Sequence, residues 1–156
     1  MADGISWALL VALAALLIAA AACDLRKREI PHAIVIAVAL LAPGFWWTTG
    51  LALYPDVAIQ LGVALLVFAL FAIAFTFGWM GGGDVKLLSA LVLWLPSGAV
   101  LALLVIMSFA GGVLTLATWA SHRIRKLSGA VEVPYGVAIA FAGLWLIGQR
   151  FLNQFG

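Results

Sequence analysis

Residues 5–31 read ISWALLVALAALLIAAAACDLRKREIP, an apolar stretch that ends abruptly at a charged segment. As a helix rising about 1.5 Å per residue, the apolar part, residues 5–23, covers the roughly 30 Å hydrocarbon layer of a bilayer. A signal peptide would begin with basic residues, whereas this stretch is preceded by Asp3 and by no Lys or Arg. We therefore expect a retained first membrane helix.

The composition of the chain extends this expectation to the other segments. Of its 156 residues, 67% are hydrophobic and 9% are charged, against about half and about a quarter in soluble domains. A chain of this length could not bury so much apolar surface in water, which excludes an ordinary soluble fold. The single cysteine, Cys23, can form neither an intramolecular disulfide nor a multi-cysteine zinc site.

Six apolar segments predict an all-α, polytopic membrane protein with about six transmembrane helices in a single domain, residues 1–156. The segments are residues 5–23, 31 to about 47, 57 to about 79, 85–95, 98 to about 120 and 134 to about 149. The fourth is only eleven residues, about 17 Å as a helix. Its crossing requires either a kinked continuation through Pro96 or local thinning of the bilayer.

The basic residues predict the orientation of these segments. Most of them form two clusters, residues 26–28 and 123–126, and Lys86 lies between the third and fourth segments. Such clusters are typical of membrane topology rather than of nucleic-acid binding. Six crossings place all three positions on one side, which the positive-inside rule makes cytoplasmic, with both termini on the outer, periplasmic side. A re-entrant fourth segment would put residues 123–126 outside, so we retain the crossing.

Two acidic residues, Asp24 and Asp84, lie at the predicted cytoplasmic ends of apolar segments. Two carboxylates at one membrane depth suit acid–base hydrolysis of an amide, because one accepts a proton from water while the other donates a proton. The alternative interpretations are that Asp84 only caps the fourth helix and that Asp24 is a solvated partner of Arg26 or Arg28. A helix N-terminus would favour the ionised form of Asp84, as a general base requires.

The three glycines before Asp84 have a mechanical interpretation. Gly81, Gly82 and Gly83 permit positive φ angles and let another backbone come close. A protease must hold its substrate extended near the aspartates, and a glycine-rich edge provides room for that.

Three stretches resemble the prepilin peptidases, a family of GxGD intramembrane aspartyl proteases. Residues 81–87, GGGDVKL, match the family's GxGD signature followed by x-Lys-Leu. Residues 24–31, DLRKREIP, resemble the element that carries the family's other aspartate, with His32 where Asn is usual. Residues 134–136, PYG, resemble the Pro-aromatic-Gly that opens the family's last helix. The resemblance covers nearly the whole chain.

The resemblance implies an aspartic endopeptidase of the bacterial inner membrane that removes the leader of type IV prepilins or pseudopilins at the cytoplasmic face. Asp24 and Asp84 would be catalytic. Substrate-approach and backbone-support roles are expected for Gly81, Gly82, Gly83, Lys86, Pro134, Tyr135 and Gly136. We expect no cofactor, metal or nucleic acid. The expected partners are the prepilin and the lipid bilayer, and they could include pilus or secretion assembly proteins.

The compact chain resembles the small peptidases of Flp-type (tight-adherence) pili. It has no region like the one linked to methylation in larger members, so we expect no methyltransferase activity. Two other functions stay open. Intramembrane carboxylates also serve as proton relays, which would suit a proton- or ion-coupled transporter subunit using Asp24 and Asp84. A catalytically silent scaffold for pilus assembly is the third.

Overall fold

The computed structural model describes residues 2–124 and 133–155, and these residues form six α-helices with no strand. The helices are α1 (Ala2–Lys27), α2 (His32–Thr48), α3 (Ala58–Thr76), α4 (Gly82–Val92), α5 (Ser97–Ile124) and α6 (Tyr135–Phe155). A single wide turn, Leu53–Val57, leads into α3. Each of the six predicted apolar segments coincides with one helix, so the all-helical prediction is confirmed.

Three of the described helical stretches are long and apolar enough to cross a bilayer, namely Gly4–Lys27, Leu53–Thr76 and Ser97–Ile124, and α2 is a shorter apolar helix. Their outer faces carry bare large apolar side chains such as Leu65, Leu101 and Phe109. Water would not tolerate so continuous an apolar surface, whereas lipid does. The protein is therefore a membrane protein, while six crossings and the positions of the termini stay predictions.

Close contacts fix the directions of the helices. Ile30, which precedes α2, lies against Gly83 at the start of α4, and Trp46 at the end of α2 donates a hydrogen bond from Nε1 to the carbonyl of Leu93 (2.7 Å). These two helices therefore run parallel. Asp24 of α1 lies against Gly136 of α6, and Leu17 lies against Gly143, so α1 and α6 run antiparallel. The end of α1 and the starts of α2, α4 and α6 consequently meet at one end of the bundle.

The short helix α4 lies at the centre of the bundle. From Asp84 to Val92 only Lys86 and Ser89 are not buried. Protein surrounds this helix on most sides, which explains how so short a segment is accommodated among longer helices. Its helical part ends before Pro96, and α5 begins at Ser97. The kinked continuation through Pro96 that we considered from the sequence is therefore wrong.

A buried amide from α3 satisfies the end of α4. Gln60 is 7% exposed, and its Nε2 donates to the carbonyls of Val92 (3.1 Å), Leu93 (3.0 Å) and Leu95. The last carbonyls of a helix have no partner within the helix, and burying them unpaired is costly. Gln60 therefore stabilises the C-terminal end of the helix whose first turn carries Asp84.

A Gln60→Leu variant is expected to lose about 1–3 kcal/mol of unfolding free energy, because the shape is retained but the buried carbonyls lose their donor. Thermal unfolding in detergent micelles measures the loss. The matched control is Gln149→Leu, since Gln149 is exposed and its replacement should leave the midpoint unchanged. Equal midpoints for the two variants would contradict the assignment.

Helix α5 extends beyond the rest of the bundle. It has 28 residues, about 42 Å of helix, and its buried residues all lie in the first half: Val100, Leu103, Met107 and Gly111. The ring of Tyr135, the first residue of α6, lies against Gly111. The second half of α5 therefore continues past the start of α6, at the end of the bundle where Asp24 lies.

Candidate active site

Asp24 lies in the last turn of α1, where its side chain is only 4% exposed. The helix continues one turn beyond the predicted apolar segment and ends at Lys27. The next residue, Arg28, has a left-handed conformation (φ 55°) and donates its amide to the Asp24 carbonyl at 3.0 Å. The extra turn is what carries Asp24 into the protein, whereas Arg26, Lys27 and Arg28 are exposed. Asp24 is thus buried rather than solvated.

The N-terminus of α6 lies directly against Asp24. A Cβ placed on Gly136 would come within 2.8 Å of Asp24 Oδ2, so only glycine leaves room for this approach. The first-turn amides of Gly136 and Val137 face the carboxyl group. Oδ2 itself is buried and accepts no hydrogen bond from any residue in the described ranges. This oxygen therefore retains its full capacity to bind a further proton donor.

Asp84 lies in the first turn of α4, 8% exposed, and its side chain folds back over Gly81. Gly81 has an extended conformation (φ −70°, ψ 144°), and its would-be Cβ lies 2.9 Å from Asp84 Oδ2. The carboxyl group faces the amide of Gly81, the residue that caps α4, as acidic side chains at the third helical position commonly do. Asp84 therefore contributes to capping α4, and this role is compatible with chemistry at the same carboxyl.

The two carboxyls meet although 60 residues separate them in the chain. The Gly136 amide faces both of them, and the charge of Asp24 acts on Asp84. Asp84 belongs to α4, outside the three long candidate spans. Burial, and secondly the negative charge of Asp24, raise the pKa of the Asp84 carboxyl to about 7. A carboxyl in this condition holds a proton near neutral pH, as a general acid requires.

The glycine triplet serves close approach and not unusual backbone angles. Would-be Cβ atoms lie 3.3 Å from the Phe75 ring at Gly82 and 3.4 Å from Ile30 Cβ at Gly83. Within the described ranges the glycines with positive φ are Gly50 and Gly78. The possibility of positive φ in the triplet is thus not used, and the turn before it contains Gly78 instead.

A family model connects this geometry to known proteins. The model of the type IV leader peptidase family matches residues 11–116, which include both Asp24 and Asp84. The chain belongs to the type IV leader peptidase family. A search of curated proteins and a search of solved structures each found no match. The resemblance drawn from the sequence is confirmed, and membership supports a leader peptidase function in general terms.

The other residues expected at the site of this family member divide into two groups. Pro134, Tyr135 and Gly136 form the start of α6, with Pro134 and Gly136 buried, and they bring the helix against Asp24. Lys86 is exposed and takes no part in the buried contacts around the carboxyls. Of the second basic cluster, Arg123 is exposed, while Arg125 and Lys126 lie outside the described residues.

Ile30 is a residue of the site for which sequence reasoning predicted no role. Its side chain is 6% exposed, and it lies between Gly83 at 3.4 Å and Gly136 at 2.7 Å, both measured to would-be Cβ atoms. It therefore packs the strand of chain after Asp24 against the starts of α4 and α6. The signal was present, since Ile30 is the one apolar residue that follows the run of charges at 26–29.

Proposed function

We propose that this member of the type IV leader peptidase family is an aspartic endopeptidase whose catalytic residues are Asp24 and Asp84. Its substrate would be a type IV prepilin of the Flp-like class, and its product the prepilin freed of its leader. The observation that carries the proposal is the meeting of two buried carboxyls from remote parts of the chain at the amide of Gly136. The family match independently favours peptide-bond cleavage.

In the proposed mechanism the pair holds one proton and one negative charge. The ionised carboxylate removes a proton from a water molecule, and the resulting hydroxide attacks the scissile carbonyl. The protonated carboxyl donates its proton to the leaving amine as the C–N bond breaks. The leader then leaves with a new carboxylate, and the pair is restored to its starting condition by proton exchange.

The proposed location is the cytoplasmic face of the bacterial inner membrane, in a single multi-pass domain of six crossings. Exposed basic residues support this orientation, because residues 26–28 flank Asp24 and Lys86 follows Asp84 at the same end of the bundle. Both termini would then be periplasmic. Beyond the prepilin and the bilayer, pilus or secretion assembly proteins are the further partners that this function would involve.

A direct test uses the purified protein in proteoliposomes with a type IV prepilin. The proposal predicts one cleavage at the leader junction, read by the masses of both products. The transporter alternative predicts instead that Asp84 supports proton flux across the vesicle membrane. Within the described residues Asp24 and Asp84 are the only buried acids, so neither carboxyl continues into a relay. Proton flux without cleavage of any prepilin would contradict the proposal.

The rate of leader removal is expected to fall as pH rises above about 7. Burial and the charge of Asp24 raise the pKa of Asp84 to about 7, so the proton is present below this pH and is lost above it. With both carboxylates ionised no acid remains to protonate the leaving amine. The measurement is kcat/KM from pH 5 to 9 in proteoliposomes, with the folded fraction checked at each pH. A rate that stays constant to pH 9 would contradict the role given to this proton.

A further inference from the structure

A groove between α3 and α5 opens on the outside of the bundle next to the two carboxyls. Its volume is about 550 Å³, with Phe71 and Met80 on one wall and Met107 and Gly112 on the other. The part of α5 that forms the outer wall belongs to the half that extends beyond the rest of the bundle. A lipid-facing opening of this kind gives a membrane-embedded chain access to the site from the side.

The inner end of the groove is one residue away from each carboxyl. Met80 lines the groove and precedes Gly81, which lies against Asp84. Tyr135 also lines it and precedes Gly136, which lies against Asp24. A chain lying in the groove would therefore reach the carboxyls by continuing past the side chains of Met80 and Tyr135.

The lining suits an apolar occupant. No charged residue contributes to it, and its two alcohol side chains bond within their own helix: Ser108 donates to Leu104 (2.7 Å) and Thr115 donates to Gly111 (2.7 Å). From Phe71 to Met80 the wall covers about 13 Å. Roughly two and a half turns of an apolar helix would fit along that length.

A second groove, between α5 and α6, is less suited to this role. It has about 590 Å³ and is lined by residues including Phe109, Val137 and Trp145. Tyr135 and Ala138 pack against Gly111, and this contact closes the space between α5 and α6 on the way to the carboxyls. The α3–α5 groove has no such contact across it at its inner end.

We propose that the α3–α5 groove binds the apolar, membrane-embedded segment of the substrate that follows the scissile bond. The inference rests on the proposed function, and it adds the surface that holds the substrate and the side from which it enters. Met80 and Tyr135 then contact the residues nearest the scissile bond. Substrates are selected in part by the fit of this segment against α3 and α5.

Gly112→Trp tests the groove by filling it. A Cβ at Gly112 meets no atom within 4 Å, so the new side chain enters the groove without displacing the bundle. Gly62→Trp is the matched control, because Gly62 is also a helical glycine with open space around it and lies on α3 away from the groove. With a full-length prepilin in proteoliposomes, Gly112→Trp should raise KM by about tenfold and leave kcat less affected. Gly62→Trp should match the parent protein.

A photo-crosslinking amino acid provides a second measurement that does not depend on activity. Placed at position 112, it should crosslink to the apolar segment of the prepilin, while the same group at position 62 or 109 should not. Crosslinks at 109 instead of 112, or unchanged KM in Gly112→Trp, would overturn the groove assignment while leaving leader removal intact. If Asp84→Asn also processed prepilin normally, the proposed function would fail and the inference with it.

Discussion

An Asp84→Asn variant is expected to remove the leader roughly 10²- to 10⁴-fold more slowly than the parent protein, the usual effect of losing a positioned acid–base group. Asparagine has the size of aspartate, and its side-chain oxygen can still accept from the Gly81 amide that Asp84 faces. The capping contribution is therefore retained while proton transfer is lost. The measurement is kcat/KM for leader removal by the purified variant.

Two controls separate chemistry from folding in this experiment. The thermal midpoint of Asp84→Asn should stay within a few degrees of the parent protein, since the cap persists. Glu29→Gln removes an exposed carboxylate near the same end of the bundle and should process prepilin normally. Leader removal by Asp84→Asn at the parent rate would show that Asp84 only caps α4.

Gly136→Ala is expected to reduce leader removal by about 10²-fold, the effect of displacing a reacting group by about 1 Å. The new methyl group would lie 2.8 Å from Asp24 Oδ2 and 2.7 Å from Ile30 Cδ1, so α6 or the Asp24 carboxyl must move. Overpacking of this kind also costs about 1–3 kcal/mol of unfolding free energy. Steady-state kinetics and thermal unfolding measure the two effects.

The control for this variant lies on the same helix. Gly148→Ala adds the same methyl group where no atom lies within 4 Å, so it should retain full activity and gain up to about 1 kcal/mol of helix stability. Parent-like activity in Gly136→Ala would show that the approach of α6 to Asp24 is unimportant for the reaction.

The helices were predictable because each depends mainly on a local run of apolar residues. The exceptions are instructive. Nothing in the charged run after Cys23 indicated that α1 continues to Lys27, because the left-handed Arg28 that ends it was not apparent from that run. The central position of α4 and its pairing with Gln60 were also not predictable, since they depend on which helices become neighbours.

The candidate site was predictable in its residues but not in its contacts. Asp24 and Asp84 could be selected because carboxylates near membrane depth are rare and costly. Their meeting point could not, since Gly136 lies 112 residues after Asp24 and their approach depends on the packing of α6 against α1. The same applies to Ile30, whose buried position depends on two glycines in distant helices.

The most direct test of a shared centre is a double-variant cycle for leader removal with Asp24→Asn, Asp84→Asn and the combination. If the two carboxyls hold one proton and act on one water molecule, losing either should lower kcat/KM to nearly the same floor, with little further loss in the double variant. Independent roles would give a double variant whose loss equals the product of the two single losses. That multiplicative result, with all three proteins folded, would contradict the account.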